Sequence, residues 1–158
     1  MSSADLAMAH FKEGFSCSQS VLSAYAPTLG LDRETAVRIA GAFGGGMGRM
    51  GETCGAVTGA LMVLGLRYGP VVAEDKQAKE KLYELAREVA SKFSARNNGC
   101  IKCRELLGCG IDTPEGLNAA REKELFTTLC PKFVSDAANI VEQLLDAEYA
   151  PRNTQPAV

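Results

Sequence analysis

Six cysteines, Cys17, Cys54, Cys100, Cys103, Cys109 and Cys130, are the residues of this 158-residue chain best equipped for chemistry. Ionised, a thiol is both a strong nucleophile and a soft metal ligand. The middle three form C-x2-C-x5-C, in which Cys100 and Cys103 are a C-x-x-C pair. Such pairs recur in zinc sites, iron–sulfur sites and dithiol redox motifs. A zinc ribbon needs a second pair, which is absent; Arg104 rather than histidine follows Cys103, which excludes covalent haem attachment. No βαβ pattern surrounds the pair, so a thioredoxin-like site is excluded too. Lys102 and Arg104 either lower the neighbouring thiol pKa values or are solvated surface charges.

The stretch Phe43 to Gly59, FGGGMGRMGETCGAVTG, contains a literal G-x-G-x-x-G at Gly46, Gly48 and Gly51. A dinucleotide fingerprint needs a strand before it and an acidic residue about twenty positions after it. Here the preceding segment is helical, so the nucleotide reading fails on context. The five glycines from Gly44 to Gly51 instead allow positive backbone dihedrals and close approach, turning the chain between helices and presenting Cys54 at the start of the next one. Gly55 and Gly59, four apart, leave one helix face bare for another backbone or for a bulky cofactor.

The elements that must position these residues are helical almost throughout. Between Glu74 and Asn97, Ala78, Leu82, Leu85, Ala86, Val89, Ala90 and Phe93 recur at three- and four-residue steps, which predicts a long amphipathic helix. Pro131 to Tyr149 repeats the pattern, with Pro131 suited to the first helical position. Upstream, ADLAMAHFKEGF and CSQSVLSAYAPTLG predict two short helices, the second stopping near Pro27 and Gly30. Asp32 caps a third through RETAVRIAGAF, and a fourth runs from about Thr53 to Tyr68, ended by Gly69-Pro70. Between the long helices there is room for one or two short helical turns, with Thr113-Pro114 as a start. No strand alternation is present. The expected fold is an all-α, single-domain bundle of about five to seven helices with a glycine-rich inter-helix loop, covering residues 1–150, followed by a flexible tail at 151–158.

Composition narrows the function classes. At 46% hydrophobic and 23% charged, the chain can build one hydrophobic core, and 158 residues are too few for two comfortable ones. A formal charge of -2 with dispersed basic residues gives no footprint for nucleic acid. The N-terminal residues lack a basic region followed by an apolar run, and Cys54 to Leu66 is well short of the roughly 20 residues a spanning helix needs. A cytoplasmic protein without membrane insertion is therefore expected. In that compartment structural disulfides are unusual, so six cysteines point to metal binding or redox chemistry.

Placed on this helical map, Cys17, Cys54, Cys103 and Cys130 all fall at predicted helix N-termini. Free N–H groups and the positive end of the helix dipole stabilise anions there and lower a thiol pKa from about 8.5 toward neutrality. If the four ends converge, they make a preorganised pocket for an iron–sulfur cluster or for reversible disulfide exchange. Each thiol taken alone is equally well read as a small core residue. The single histidine, His10, reads as structural, and E-x-x-H spacing is absent. Glu52 and Arg49 flank the glycine loop, either tuning charge near Cys54 or facing solvent.

The segments FKEGFSCSQSVL, FGGGMGRMGETCGAVTGALMVLGLRYG, CRELLG and CPKFVSDAANIVEQLL together resemble the redox-active family named for its C_GCAxxG_C_C cysteine pattern. The resemblance runs from about Phe11 to Leu145; Cys54, Gly55, Ala56 and Gly59 match its C-G-A-x-x-G element. It implies a small helical protein of redox or iron–sulfur function whose four cysteines fall on Cys17, Cys54, Cys103 and Cys130. Cys100 and Cys109 stand outside the family pattern, as site extensions, a resolving thiol or incidental residues. The leading expectation is an electron-transfer protein with an iron–sulfur cluster on those four cysteines, Gly55 lying beside it, and a redox partner protein. A homodimer is compatible with this reading. The alternatives are a cofactor-free thiol–disulfide protein and a zinc-stabilised interaction module using Cys100, Cys103, Cys109 and one further ligand.

Overall fold

Helix ends in this chain are encoded locally. In the computed structural model, which describes residues 1–149, Ser2 and Asp5 form a capping box that starts α1 (Ser3–Lys12), and Ser16 with Gln19 forms another that starts α2 (Cys17–Tyr25). Asp32 accepts the Thr35 amide at 2.9 Å and opens α3 (Arg33–Ala40). α4 spans Gly55–Tyr68, and α5 spans Lys76–Arg96, capped by Asp75. Thr113 and Pro114 open α7 (Pro114–Glu122) as expected, following the short α6 (Cys103–Leu107). The last described helix, α8, is Cys130–Tyr149.

These are eight α-helices of five residues or more, one beyond the expected five to seven, because the segment between the two long helices forms α6, α7 and a further turn at Leu125–Thr128. That turn leads directly into α8, so the helix starts at Cys130 and Pro131 is its second residue. Among the described residues there is no strand, only an isolated antiparallel bridge between Thr53 and Lys102. The expected tail at 151–158 lies outside the described residues. No described helix is long and apolar enough to cross a membrane.

α2 is the central element, packed on α1, α3, α4 and α8. Its Val21, Leu22 and Ala24 are buried with Val63 and Leu64 of α4, Leu85 and Phe93 of α5, and Val134, Ile140 and Val141 of α8. Fully burying one side chain of the size of Leu22 or Phe93 contributes about 1.5–3 kcal/mol. The same helix buries three serines, whose hydroxyls find partners inside the fold: Ser18 donates to the Ala40 carbonyl at 2.9 Å, Ser20 to the Ser16 carbonyl at 2.7 Å, and Ser23 lies 2.7 Å from His10 Nδ1. Tyr25 Oη donates to the Ala138 carbonyl at 2.8 Å, fixing α2 against α8. Because both helices begin with cysteine, this packing decides where two of the thiols sit.

Candidate functional site

The glycine loop does more than permit a turn. Gly45, Gly46, Met47, Gly48 and Arg49 all have φ between 60° and 68°, a run of five left-handed residues. L-residues pay about 1–2 kcal/mol each in this region, so such runs are rare outside glycine. Three of the five are glycine; Met47 and Arg49 carry the strain. The turn is closed by hydrogen bonds from the Gly51 amide to the Gly45 carbonyl (3.2 Å) and from the Glu52 amide to the Gly46 carbonyl (3.0 Å).

This turn aims Glu52 to Cys54 at the segment that starts α6. The Cys54 amide donates to the Ile101 carbonyl at 2.8 Å, the Cys103 amide to the Glu52 carbonyl at 2.7 Å, and the Arg104 amide to the Gly51 carbonyl at 3.1 Å. Cys54 and Cys103, 49 residues apart in sequence, are thereby held on adjacent backbones. Arg104 also staples the loop with its side chain, donating to the Met50 carbonyl at 2.6 Å, the Gly51 carbonyl at 3.2 Å and the Glu52 carboxylate at 3.0 Å. The sequence offered Arg104 as a charge that lowers a neighbouring thiol, which it does weakly at Cys103; the loop staple is a further role. The Arg104–Glu52 ion pair is exposed on both sides (46% and 41%) and contributes little, whereas the two carbonyl bonds fix the loop. Arg104→Met is expected to lower stability by about 1–2 kcal/mol in urea unfolding, and Glu52→Gln by only a few tenths.

Cys17 arrives from the other side. Gly59 and Gly55 let the backbone of α2 close on α4: a Cβ at Gly59 would lie 2.8 Å from the Ser18 carbonyl oxygen, and one at Gly55 3.0 Å from the Ser18 nitrogen. The bare face is thus occupied by another backbone. That contact sets Cys17, the first residue of α2, beside Cys54, the cap of α4. Cys130, the first residue of α8, completes the group.

The Cys17, Cys54 and Cys130 thiols are near enough to one another to shift each other's ionisation. The four family-type cysteines all line one cavity of about 1000 Å³, with Cys54, Cys103 and Cys130 buried and Cys17 half-buried. All are free thiols, and each stands at a helix N-terminus as the sequence predicts. The electrostatic outcome, however, is not uniform. The Cys54 thiol is pulled below its ordinary range, first by the hydrogen bond from Cys17; the Ala56 and Val57 amides at the open end of α4 add to this and together they outweigh burial. Cys17 is pushed well up, by its hydrogen bonds to Cys130 and Cys54 and then by burial. Cys103 is pushed up to about 12, by burial first and then by the neighbouring thiols, with Arg104 opposing weakly. The expectation that every helix start lowers its thiol is therefore corrected at Cys17 and Cys103, where mutual crowding and desolvation exceed the helix-end effect. One negative charge is favoured, at Cys54, and Cys17 and Cys103 resist joining it.

Cys109 is half-buried and near enough for its charge to raise Cys103. Cys100 is half-buried, its thiol 3.6 Å from the Asn98 carbonyl oxygen, and it does not line the cavity. Gly55 and Arg49 line the cavity; Glu52 does not. His10 is buried against Ser23, with burial lowering its pKa, and it too is absent from the cavity wall. Lys12 and Arg121 line the cavity, and nothing local in the sequence distinguishes them from ordinary helix-surface charge.

No curated protein and no solved structure matches this chain. A family model described as "Putative redox-active protein (C_GCAxxG_C_C)" matches residues 15–144, which include all six cysteines, and the chain belongs to that family.

Proposed function

We propose that the protein is a thiol–disulfide redox protein in which Cys54 attacks and Cys17 resolves. The single observation behind this reading is four free thiols lining one cavity, in which the close packing of α2 on Gly55 and Gly59 sets Cys17 beside a Cys54 thiol that is pulled below its ordinary range. The Cys54 thiolate attacks one sulfur of a substrate disulfide, forming a mixed disulfide and releasing one substrate thiolate. With the charge on Cys54 consumed, one of the influences holding Cys17 protonated is gone. Cys17 then passes its proton to the substrate thiolate released in the first exchange and attacks the Cys54 sulfur, forming the Cys17–Cys54 disulfide and releasing the second substrate thiolate. Two electrons pass to the substrate, and a redox partner protein returns them by the reverse exchange. Cys130, in contact with Cys17, is the alternative resolving thiol, and Cys103 completes the set.

An iron–sulfur cluster on Cys17, Cys54, Cys103 and Cys130 is the second reading. Four soft donors opening into one cavity favour it, and a bound cluster would supply single-electron transfer. Among the described residues no group of three or more Cys, His, Asp or Glu is arranged to hold a single metal ion, and the crowding of Cys17 against Cys130 and Cys54 favours thiol exchange over this reading. The same test applies to zinc on Cys100, Cys103 and Cys109.

The deciding experiment is a redox titration with thiol counting and peptide mapping on anaerobically purified protein. Two thiols should disappear together and reversibly, with Cys17 and Cys54 recovered in one disulfide-linked peptide pair. Absence of a reversible dithiol couple overturns the reading. Stoichiometric iron and acid-labile sulfide with a charge-transfer spectrum would transfer it to the cluster.

A further inference from the structure

We propose that the thiol cavity selects low-molecular-mass disulfides that combine an apolar body with carboxylate groups. This inference rests on the thiol–disulfide reading above and names the substrate class for the same site. Its basis is the layering of the cavity wall. At about 1000 Å³ the cavity is at the upper end of the range for small-molecule sites. Beside the thiols and the loop glycines, its bulky lining side chains include Phe11, Phe15, Leu106, Leu117, Phe126 and Phe133, all half-buried or buried, with Ser16, Gln19 and Thr127 as the uncharged polar members. Such a wall desolvates an aliphatic or aromatic body of matching size.

Charge supplies the second half. Lys12, Arg49 and Arg121 are exposed residues of the cavity lining, and not one aspartate or glutamate lines it. This holds in a chain whose acidic residues outnumber its basic ones, 19 to 17. Among the described residues these three cations make no ion pair, while Arg33, Lys92, Arg96, Arg104 and Lys132 each have an acidic partner. Arg49 is held there by a left-handed backbone, φ 65°, with its side chain lying over Gly45. The site thus runs from cations in solvent, through an apolar wall, to the buried Cys54 sulfur. A carboxylate on the substrate meets the cations while the scissile S–S bond reaches the thiolate. In the exchange one substrate disulfide becomes two thiols and the Cys17–Cys54 dithiol becomes a disulfide.

The test uses the reduced full-length protein and three disulfide probes: para-dithiodibenzoate, its neutral bis-carboxamide, and cystamine. The rate of Cys17–Cys54 formation is measured for each and divided by the rate for the same chain unfolded in urea, which removes intrinsic reactivity. The normalised rate should be about 10-fold or more higher for the dicarboxylate than for the bis-carboxamide, with cystamine slowest. Two measurements share the burden. In the wild type the preference should shrink as salt rises from about 20 mM to about 0.5 M, and in a Lys12→Gln, Arg49→Gln, Arg121→Gln variant it should fall about 10-fold at low salt while the carboxamide rate holds. Equal normalised rates for the two aromatic probes, or a preference insensitive to salt, overturn the selectivity proposal while leaving thiol exchange standing. Failure of all three probes to oxidise the pair faster than the unfolded chain overturns the thiol–disulfide reading, and this proposal with it.

Discussion

Cys54→Ser should lower the rate at which the native, reduced protein is alkylated by iodoacetamide at pH 7, with the loss confined to the Cys54 peptide. An unperturbed thiol with a pKa of about 8.5 is only a few per cent ionised at that pH, and the thiolate is the reacting form. Cys54 is held below that range, whereas Cys17 and Cys103 are held above it. The sign follows from the acid. A lowered pKa leaves Cys54 more ionised at a given pH than an ordinary thiol, so the wild-type alkylation profile lies toward lower pH, and the serine variant loses that displacement. The first cause of the shift is the hydrogen bond from Cys17, which yields a discriminating pair of variants. Cys17→Ala removes the donor and should move the Cys54 rate profile to higher pH; Cys17→Ser keeps a donor and should move it less. Cys100→Ser, remote from the cavity wall, should leave the profile in place. A wild-type profile that survives Cys54→Ser unchanged would show that the reactive thiol is elsewhere.

That uneven division of charge is where the sequence stopped being readable. The placement of cysteines at helix starts was legible because helix punctuation is local: the glycine run ends where α4 begins after Cys54, and Pro131 marks the first turn of α8 beside Cys130. The dipole argument is local as well and gives the same answer for all four thiols. What separates Cys54 from Cys17 and Cys103 is the distance between helix ends, which depends on packing. α2 closes on Gly55 and Gly59, and an isolated bridge joins Thr53 to Lys102. A single bridged pair has no alternating pattern to betray it. Arg104 illustrates the same limit, since a basic residue after a cysteine carries no mark that it will bond carbonyls more than fifty residues away. The glycine loop was half legible. Its glycines foretold positive φ, but Met47 and Arg49 joining the left-handed run depends on the closure of the loop onto α6.

The cost of disturbing that closure should be largest at Gly46. Gly46→Ala is expected to destabilise the protein by about 2–5 kcal/mol, the sum of a left-handed backbone penalty of about 1–2 and an overpacking penalty of about 1–3. Its φ is 66°, and an added Cβ would lie 2.6 Å from the Glu52 carbonyl oxygen and 2.7 Å from the Cys103 Cβ. Neither neighbour can yield cheaply. The Glu52 carbonyl is bonded to the Cys103 amide, and Cys103 is buried at the start of α6. Gly48→Ala is the control, with nearly the same φ of 60° but no atom closer to the new Cβ than the Ala42 carbonyl oxygen at 3.9 Å. It should carry the backbone penalty alone, about 1–2 kcal/mol. The difference between the two in urea unfolding measures how tightly the loop is pressed against Cys103. In the Gly46 variant the methyl group prises the Glu52–Cys103 contact apart, so Cys103 should alkylate faster in the folded protein. Equal losses at the two glycines, with Cys103 still protected, would mean that the loop can shift outward freely and does not hold the second thiol in place.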